Sequence, residues 1–148
     1  MGNDIIYTIG YTQKNAKKFF SLLATSHASK IIDIRLNNSS QLAGFTKQED
    51  LSFFLRKILD WDYVYQPLLA PTKELLDNYK KKIISWNDYE LIFHQILEER
   101  KVYEKITRGN LVNGVLLCSE NLPNYCHRRL VAEYFKKKWE NIEIKHLF

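Results

Sequence analysis

Apolar residues follow two rhythms along this chain of 148 residues. Asp4 to Tyr11 (DIIYTIGY) and Lys30 to Arg35 (KIIDIR) are short, β-branched and almost continuously apolar, as strands covered on both faces are. Tyr63 to Pro67 (YVYQP) predicts a third strand stopped by its proline, NGVLLCS a fourth and IEIKHLF a closing fifth. Between these runs the spacing changes to three and four. Phe19, Phe20 and Leu23 predict a helix from Lys14 to Thr25, and Leu51, Phe54, Leu55 and Ile58 one from Lys47 to Leu59. Pro71 and Thr72 open a further helix with Leu75, Leu76 and Tyr79 on one face. Ser85 or Asn87 caps a long one carrying Tyr89, Phe93, Ile96, Leu97 and Tyr103. Leu130, Val131, Tyr134 and Phe135 mark the last. Strands alternating with helices predict an α/β fold: a three-layer sandwich with a mostly parallel central sheet of about five strands, Rossmann-like. The length predicts a single domain over 1–148, with no internal repeat.

In such a fold, ligands meet the carboxyl ends of the strands. Gly10, Tyr11 and Thr12 follow the first strand, Asp33 and Arg35 end the second, and Cys118, Ser119 and Glu120 follow the fourth. Alternation puts Asp33 and Arg35 on one face and Ile34 on the other. Asn124 is the expected N-cap of the last helix, so Tyr125, Cys126 and His127 would form its first turn. There the unpaired N–H groups and the dipole favour an anion, and an exposed thiol beside His127, Arg128 and Arg129 would ionise easily.

Four readings of this stretch compete. Cys126 is a nucleophilic or redox thiol; Cys118, Cys126, His127 and His146 hold a metal; Arg35, Arg128 and the helix start hold an anion beside a catalytic Glu120; or all are structural. The metal set is disfavoured, because the cysteines are eight positions apart and consecutive helical residues diverge. Asp33 and Arg35 serve equally as a functional or a structural ion pair. The run Lys136 to Lys138 reads as a solvated helix face.

Composition narrows the classes. The net charge of +5 makes an anionic partner reasonable, and 45% apolar residues describe an ordinary core. No apolar run reaches the ~20 residues of a membrane span, and the N-terminus lacks a secretory pattern, so the expected location is cytoplasmic. Two cysteines in such a chain argue against a disulfide framework.

YTIGYT, DIR followed by Ser40 and Phe45, LLCSE, CHR and the final His146–Leu147 occur in this order. Together they closely resemble the DUF488 family, small intracellular proteins of bacteria and archaea named for unknown function. The resemblance implies an α/β fold with a polar pocket. It marks Gly10, Asp33, Arg35, Ser40, Cys118, Glu120, Cys126, His127, Arg128 and His146. Two departures are Asn38 in place of a usual proline, and LLAP where a glycine pair usually follows the third strand.

The resulting expectation is an enzyme acting on a phosphorylated or nucleic-acid-derived substrate. Its candidate catalytic groups are Glu120, Asp33, His127 and Cys126. Gly10, Tyr11, Thr12, Arg35, Ser40, Cys118 and Arg128 would bind the anionic part. No cofactor, metal or membrane partner is expected. The alternative is a non-catalytic nucleotide or nucleic-acid binding module; a thiol redox or metal protein is the third reading.

Overall fold

A computed structural model describes residues 3–36 and 44–148. Ser40 and Asn38 lie outside the described residues. The described chain forms one five-stranded, wholly parallel sheet. Its strands are β1 (Asp4–Gly10), β2 (Lys30–Asp33), β3 (Asp62–Tyr65), β4 (Gly114–Cys118) and β5 (Ile142–Leu147), in the order β3-β2-β4-β1-β5. The helices are α1 (Ala16–Thr25), α2 (Gln48–Phe54), α3 (Lys73–Lys80), α4 (Trp86–Glu99), α5 (Val102–Lys105), α6 (Arg108–Leu111) and α7 (His127–Lys138).

The three layers follow from alternation along the strands. Tyr7, Ile9, Ile31, Val115 and Leu117 face one side, where they pack on Phe19, Phe20 and Leu23 of α1 and Leu51 of α2. Ile6, Ile32 and Leu116 face the other, against Phe93 and Leu97 of α4 and Val131 and Phe135 of α7. A core on each face explains why these strands read as continuous apolar runs. Each fully buried aliphatic side chain contributes roughly 1.5–3 kcal/mol to this arrangement.

Polar side chains set the helix starts. Asn15 accepts from the Lys18 amide at 2.9 Å, and Thr72 from the Leu75 amide at 3.1 Å. Ser85 and Asp88 form a reciprocal capping box, which selects Ser85 over Asn87 as the cap of α4.

Three elements differ from the expected boundaries. The helix expected from Lys47 to Leu59 is α-helical only to Phe54, then continues as a π-helical turn over Leu55–Leu59. The long helix ends at Glu99: Lys101 turns left-handed (φ 56°), which redirects the chain so that Val102 and Ile106 enter the core. Helix α7 begins at His127, later than an Asn124 cap would place it. Cys126 is the N-cap residue, in an extended conformation (φ −135°, ψ 139°).

This topology positions the site. The chain leaves β1 through α1 on one face of the sheet and leaves the neighbouring β4 through α7 on the other. The crevice opened by such a reversal lies at the carboxyl ends of these two strands.

Candidate functional site

A cavity of about 360 Å³ lies at this edge of the sheet. One part of its wall is polar and comes from the end of β4, the segments that follow the strands and the start of α7: Thr12, Arg35, Cys118, Ser119, Glu120 and His127. The other part is aromatic: Tyr11, Tyr79, Trp86, Tyr89 and Tyr125. Of the candidate residues Asp33, Arg35, Glu120 and Arg128, Arg35 and Glu120 line the cavity. Asp33 and Arg128 lie behind its wall, fully buried. Tyr11, Thr12, Cys118, Cys126 and His127 also line it, whereas Gly10 does not.

Asp33 and Arg35 form a closed unit. Arg35 donates from Nε to Asp33 Oδ1 (2.9 Å) and from Nη2 to Oδ2 (2.8 Å). The Arg35 amide adds a bond to Oδ1, and the Tyr63 hydroxyl donates to Oδ2 at 2.5 Å. Nη2 also donates to the Thr46 carbonyl at 2.6 Å, and the guanidinium stands 5.4 Å from the centre of the Tyr11 ring. A two-pronged pair this well bonded is how a buried charge is retained. It brings almost no net charge to the cavity, so it is a weaker anion holder than an unpaired arginine would be.

Arg128 is placed differently from expectation. Its Nη1 donates to the Glu120 carbonyl, Nη2 to the Asn121 carbonyl (3.1 Å) and Nε to the Thr8 hydroxyl (3.2 Å). Burial lowers its pKa to about 10, against the opposing pull of Glu120. These bonds fasten the segment after β4 and turn the guanidinium away from a ligand role. Gly10 contributes to the same clamp. A Cβ there would overlap the Glu120 carbonyl and stand 2.9 Å from Arg128 Nη1, so only glycine lets this segment lie against β1. The Thr12 hydroxyl and amide both donate to the Ser119 carbonyl (2.8 and 3.0 Å), closing the other side. His146 belongs to this support as well. Its Nδ1 is 2.6 Å from the Thr8 hydroxyl, and burial lowers its pKa, followed by the charge of Arg128.

The thiol expectation also changes. Cys126 is 3% exposed and Cys118 4%. Their sulfurs are paired as a disulfide, although the sequence argues against a disulfide framework. The Cys126 amide donates to the Pro123 carbonyl at 3.3 Å, so it is engaged within the loop. The exposed, anion-stabilised thiol expected at a helix start is therefore replaced by a buried, disulfide-bonded sulfur at an extended cap.

His127 packs against the same sulfurs. Nε2 lies 2.7 Å from the Ile34 carbonyl, which can only accept, so Nε2 carries the proton. Nδ1 then presents a lone pair, 3.2 Å from Cys118 Sγ. Burial drives the His127 pKa down to about 4; the Ile34 bond opposes this, Arg128 adds to it and Asp33 opposes it. At neutral pH the ring is uncharged. Its Nδ1 can accept a proton or donate its lone pair to a metal ion, and the ring cannot supply an electrostatic hold on an anion.

Consecutive Cys126 and His127 were expected to diverge. They converge, because Cys126 is extended and only His127 is helical. The sulfur, sulfur and ring-nitrogen atoms of Cys118, Cys126 and His127 all lie within 4.8 Å of one another. The sequence argument against a metal set therefore loses its geometric basis.

The aromatic wall and Lys14 were not anticipated. Trp86 stacks on Tyr89 with centroids 4.6 Å apart, and Tyr79 and Tyr125 meet Trp86 edge-on at 5.3 and 5.6 Å. Tyr79 and Tyr89 recur at helical core spacing, which hid their exposure to a cavity; the 14% aromatic content was the only hint. Lys14 is 8% exposed and bonds to Asn121 Oδ1 at 2.5 Å. Among the described residues no helix is long and apolar enough to cross a membrane.

No curated protein and no solved structure matches this chain. The family model described as "Domain of unknown function DUF488" matches residues 15–135, which hold the polar and aromatic walls of the cavity apart from Tyr11 and Thr12. A match over that much of the sequence places the chain in the DUF488 family.

Proposed function

We propose that this DUF488 protein is an enzyme acting on a nucleic-acid-derived substrate, whose base ring enters the cavity against the aromatic wall. The observation that carries the reading is the division of one cavity into an aromatic wall and a polar end. A volume of about 360 Å³ suits a nucleoside-sized molecule. Base–aromatic stacking contributes about 1–3 kcal/mol per base and accepts any base with a π-face. Glu120 is the carboxylate that reaches the cavity from an exposed loop position, and it serves as general base or nucleophile. His127, neutral and anchored on Ile34, accepts a proton at Nδ1. With Arg35 closed on Asp33, the cation offered to a phosphate is Lys80, exposed on the lining. The reading therefore favours bases, nucleosides and monophosphates over highly charged substrates.

Tyr125 tests it, because it lines the cavity while 64% exposed, so its loss leaves the core intact. Binding of a panel of nucleosides and nucleotides is followed through Trp86 fluorescence. Tyr125→Ala should weaken binding about 5- to 150-fold, the factor that corresponds to one stacking contact. Glu120→Gln should retain binding and lose turnover. Turnover unchanged in Glu120→Gln removes Glu120 from the chemistry, and binding without turnover in the parent favours the non-catalytic alternative. A panel in which nothing binds ends the proposal.

A further inference from the structure

The sulfurs of Cys118 and Cys126 and the ring of His127 form the one group of three or more potential metal ligands among the described residues. All three side chains are buried, yet all line the cavity, so an ion has a way in. We propose that the reduced Cys118–Cys126 pair and His127 Nδ1 bind one zinc ion, with the remaining coordination position on the cavity.

Three observations converge. The first concerns the His127 lone pair. Nε2 donates to the Ile34 carbonyl, which leaves Nδ1 unprotonated and aimed at Cys118 Sγ, 3.2 Å away. A disulfide sulfur has no proton to give it, and in the reduced pair the Cys118 S–H can donate to it until metal binding releases that proton. A metal ion is an electron-pair acceptor and satisfies that nitrogen. The second is the support itself. A ring N–H held by a backbone carbonyl, with the other nitrogen turned inward, is the usual way a protein orients a ligating histidine.

The third is backbone spacing. The Cα atoms of Cys118 and Cys126 are 7.3 Å apart, whereas disulfides usually keep them within about 6.8 Å. Two thiolates converging on one ion tolerate the wider separation. Ligand atoms around a tetrahedral zinc stand about 3.3–3.8 Å apart, close to the Cys118–His127 separation already present.

Two thiolates and an imidazole select a borderline-soft ion such as zinc over magnesium or calcium. The chemistry balances simply. A phosphine or dithiol reductant supplies two electrons, the disulfide takes them with two protons to give two thiols, and zinc binding releases those two protons. Three protein ligands and an open position are the arrangement of catalytic rather than structural zinc. The inference rests on the thiol–imidazole cluster and not on base stacking; an ion on Nδ1 would take the lone pair assigned above to proton transfer and leave Glu120 as the acid–base group of the zinc-loaded chain.

The test uses the full chain, reduced anaerobically with a phosphine and counted for two free thiols. Zinc uptake is then read by elemental analysis after desalting. Cobalt(II) is added in parallel, because thiolate-to-cobalt charge transfer reports sulfur ligation directly. The expected result is one zinc per chain, charge-transfer bands on cobalt addition, and release of two protons per ion. Cys118→Ser and Cys126→Ser should each weaken zinc binding at least 100-fold. The parent spectrum stands by itself as a readout, whatever the folding of either variant. A disulfide that the phosphine cannot open in the folded chain overturns the proposal. So does uptake well below one ion by a chain with two free thiols, or cobalt binding without charge-transfer bands.

Discussion

Two buried arginines, one lining the cavity and one behind its wall, solve opposite problems. Arg35 is 2% exposed and meets a carboxylate, Asp33, through two parallel bonds. Arg128 is fully buried, and it donates to the Glu120 and Asn121 carbonyls and the Thr8 hydroxyl. The first is half of a neutral pair whose surface reaches the ligand space. The second is a cation held by dipoles, and it fixes the loop that brings Glu120 to that space. An arginine near an expected anion site is therefore no measure of the site's charge. What its fork is bonded to decides whether it serves ligand or loop.

The comparison makes its largest prediction for Asp33. Asp33→Asn leaves Arg35 buried with its charge uncompensated, and the chain should lose about 3–5 kcal/mol of stability. Arg128→Met removes a buried cation together with its bonds and keeps much of the side-chain volume. That change should cost no more than about 2 kcal/mol. Urea denaturation of the two variants gives the order. A loss in Arg128→Met equal to that in Asp33→Asn would show that Arg128 carries a fixed negative partner, and the contrast between the two arginines would collapse.

A smaller effect sharpens the loop-clamp role. Gly10→Ala pushes its Cβ into the Glu120 carbonyl, the group that Arg128 grips from the other side. Overpacking of this kind costs about 1–3 kcal/mol. Because both substitutions release one carbonyl, the double variant should lose less than the sum of the two. Strict additivity in the same urea measurements would mean that Gly10 and Arg128 hold different parts of the loop.

Much of the fold was legible because the central strands β1, β2 and β4 are buried on both faces and the longer helices on one, so periodicity reported burial directly. All five strands and the alternation of layers follow from runs such as KIIDIR and GVLLC. The site's edge was legible for the same reason: residues that follow parallel strands collect at one end. Less could be read where partners are backbone atoms. Nothing in the residue types of Arg128 or Gly10 announces two carbonyls. Asn124 is a better N-cap by type than Cys126, and the two-residue difference reverses the geometry of Cys126 and His127. Tyr79 and Tyr89 stand where helix cores are expected, and spacing cannot distinguish a ring packed on protein from one packed beside an opening.

The smallest expected effect is electrostatic, and it measures how far the charge of Arg128 is felt. Lys14 is held at a pKa of about 8, below the usual 10.5, first by burial, then by the charge of Arg128, then by Lys18. Between pH 8 and 10.5 the unfolded chain therefore keeps a proton on Lys14 that the folded chain has released. Stability from this group rises with pH across that window, as the buried charge is shed. Below it Lys14 is protonated in both states and contributes no slope. Arg128→Met removes the second cause and leaves burial, so the Lys14 pKa should move up toward its ordinary value without reaching it, and the slope should shrink. The Lys14 side-chain resonance, followed by NMR titration in both proteins, gives the shift directly. A pKa unchanged by the substitution would mean that the Arg128 charge is screened from Lys14, and a wild-type Lys14 that titrates with the exposed lysines would mean that its ammonium lies in water rather than against Asn121.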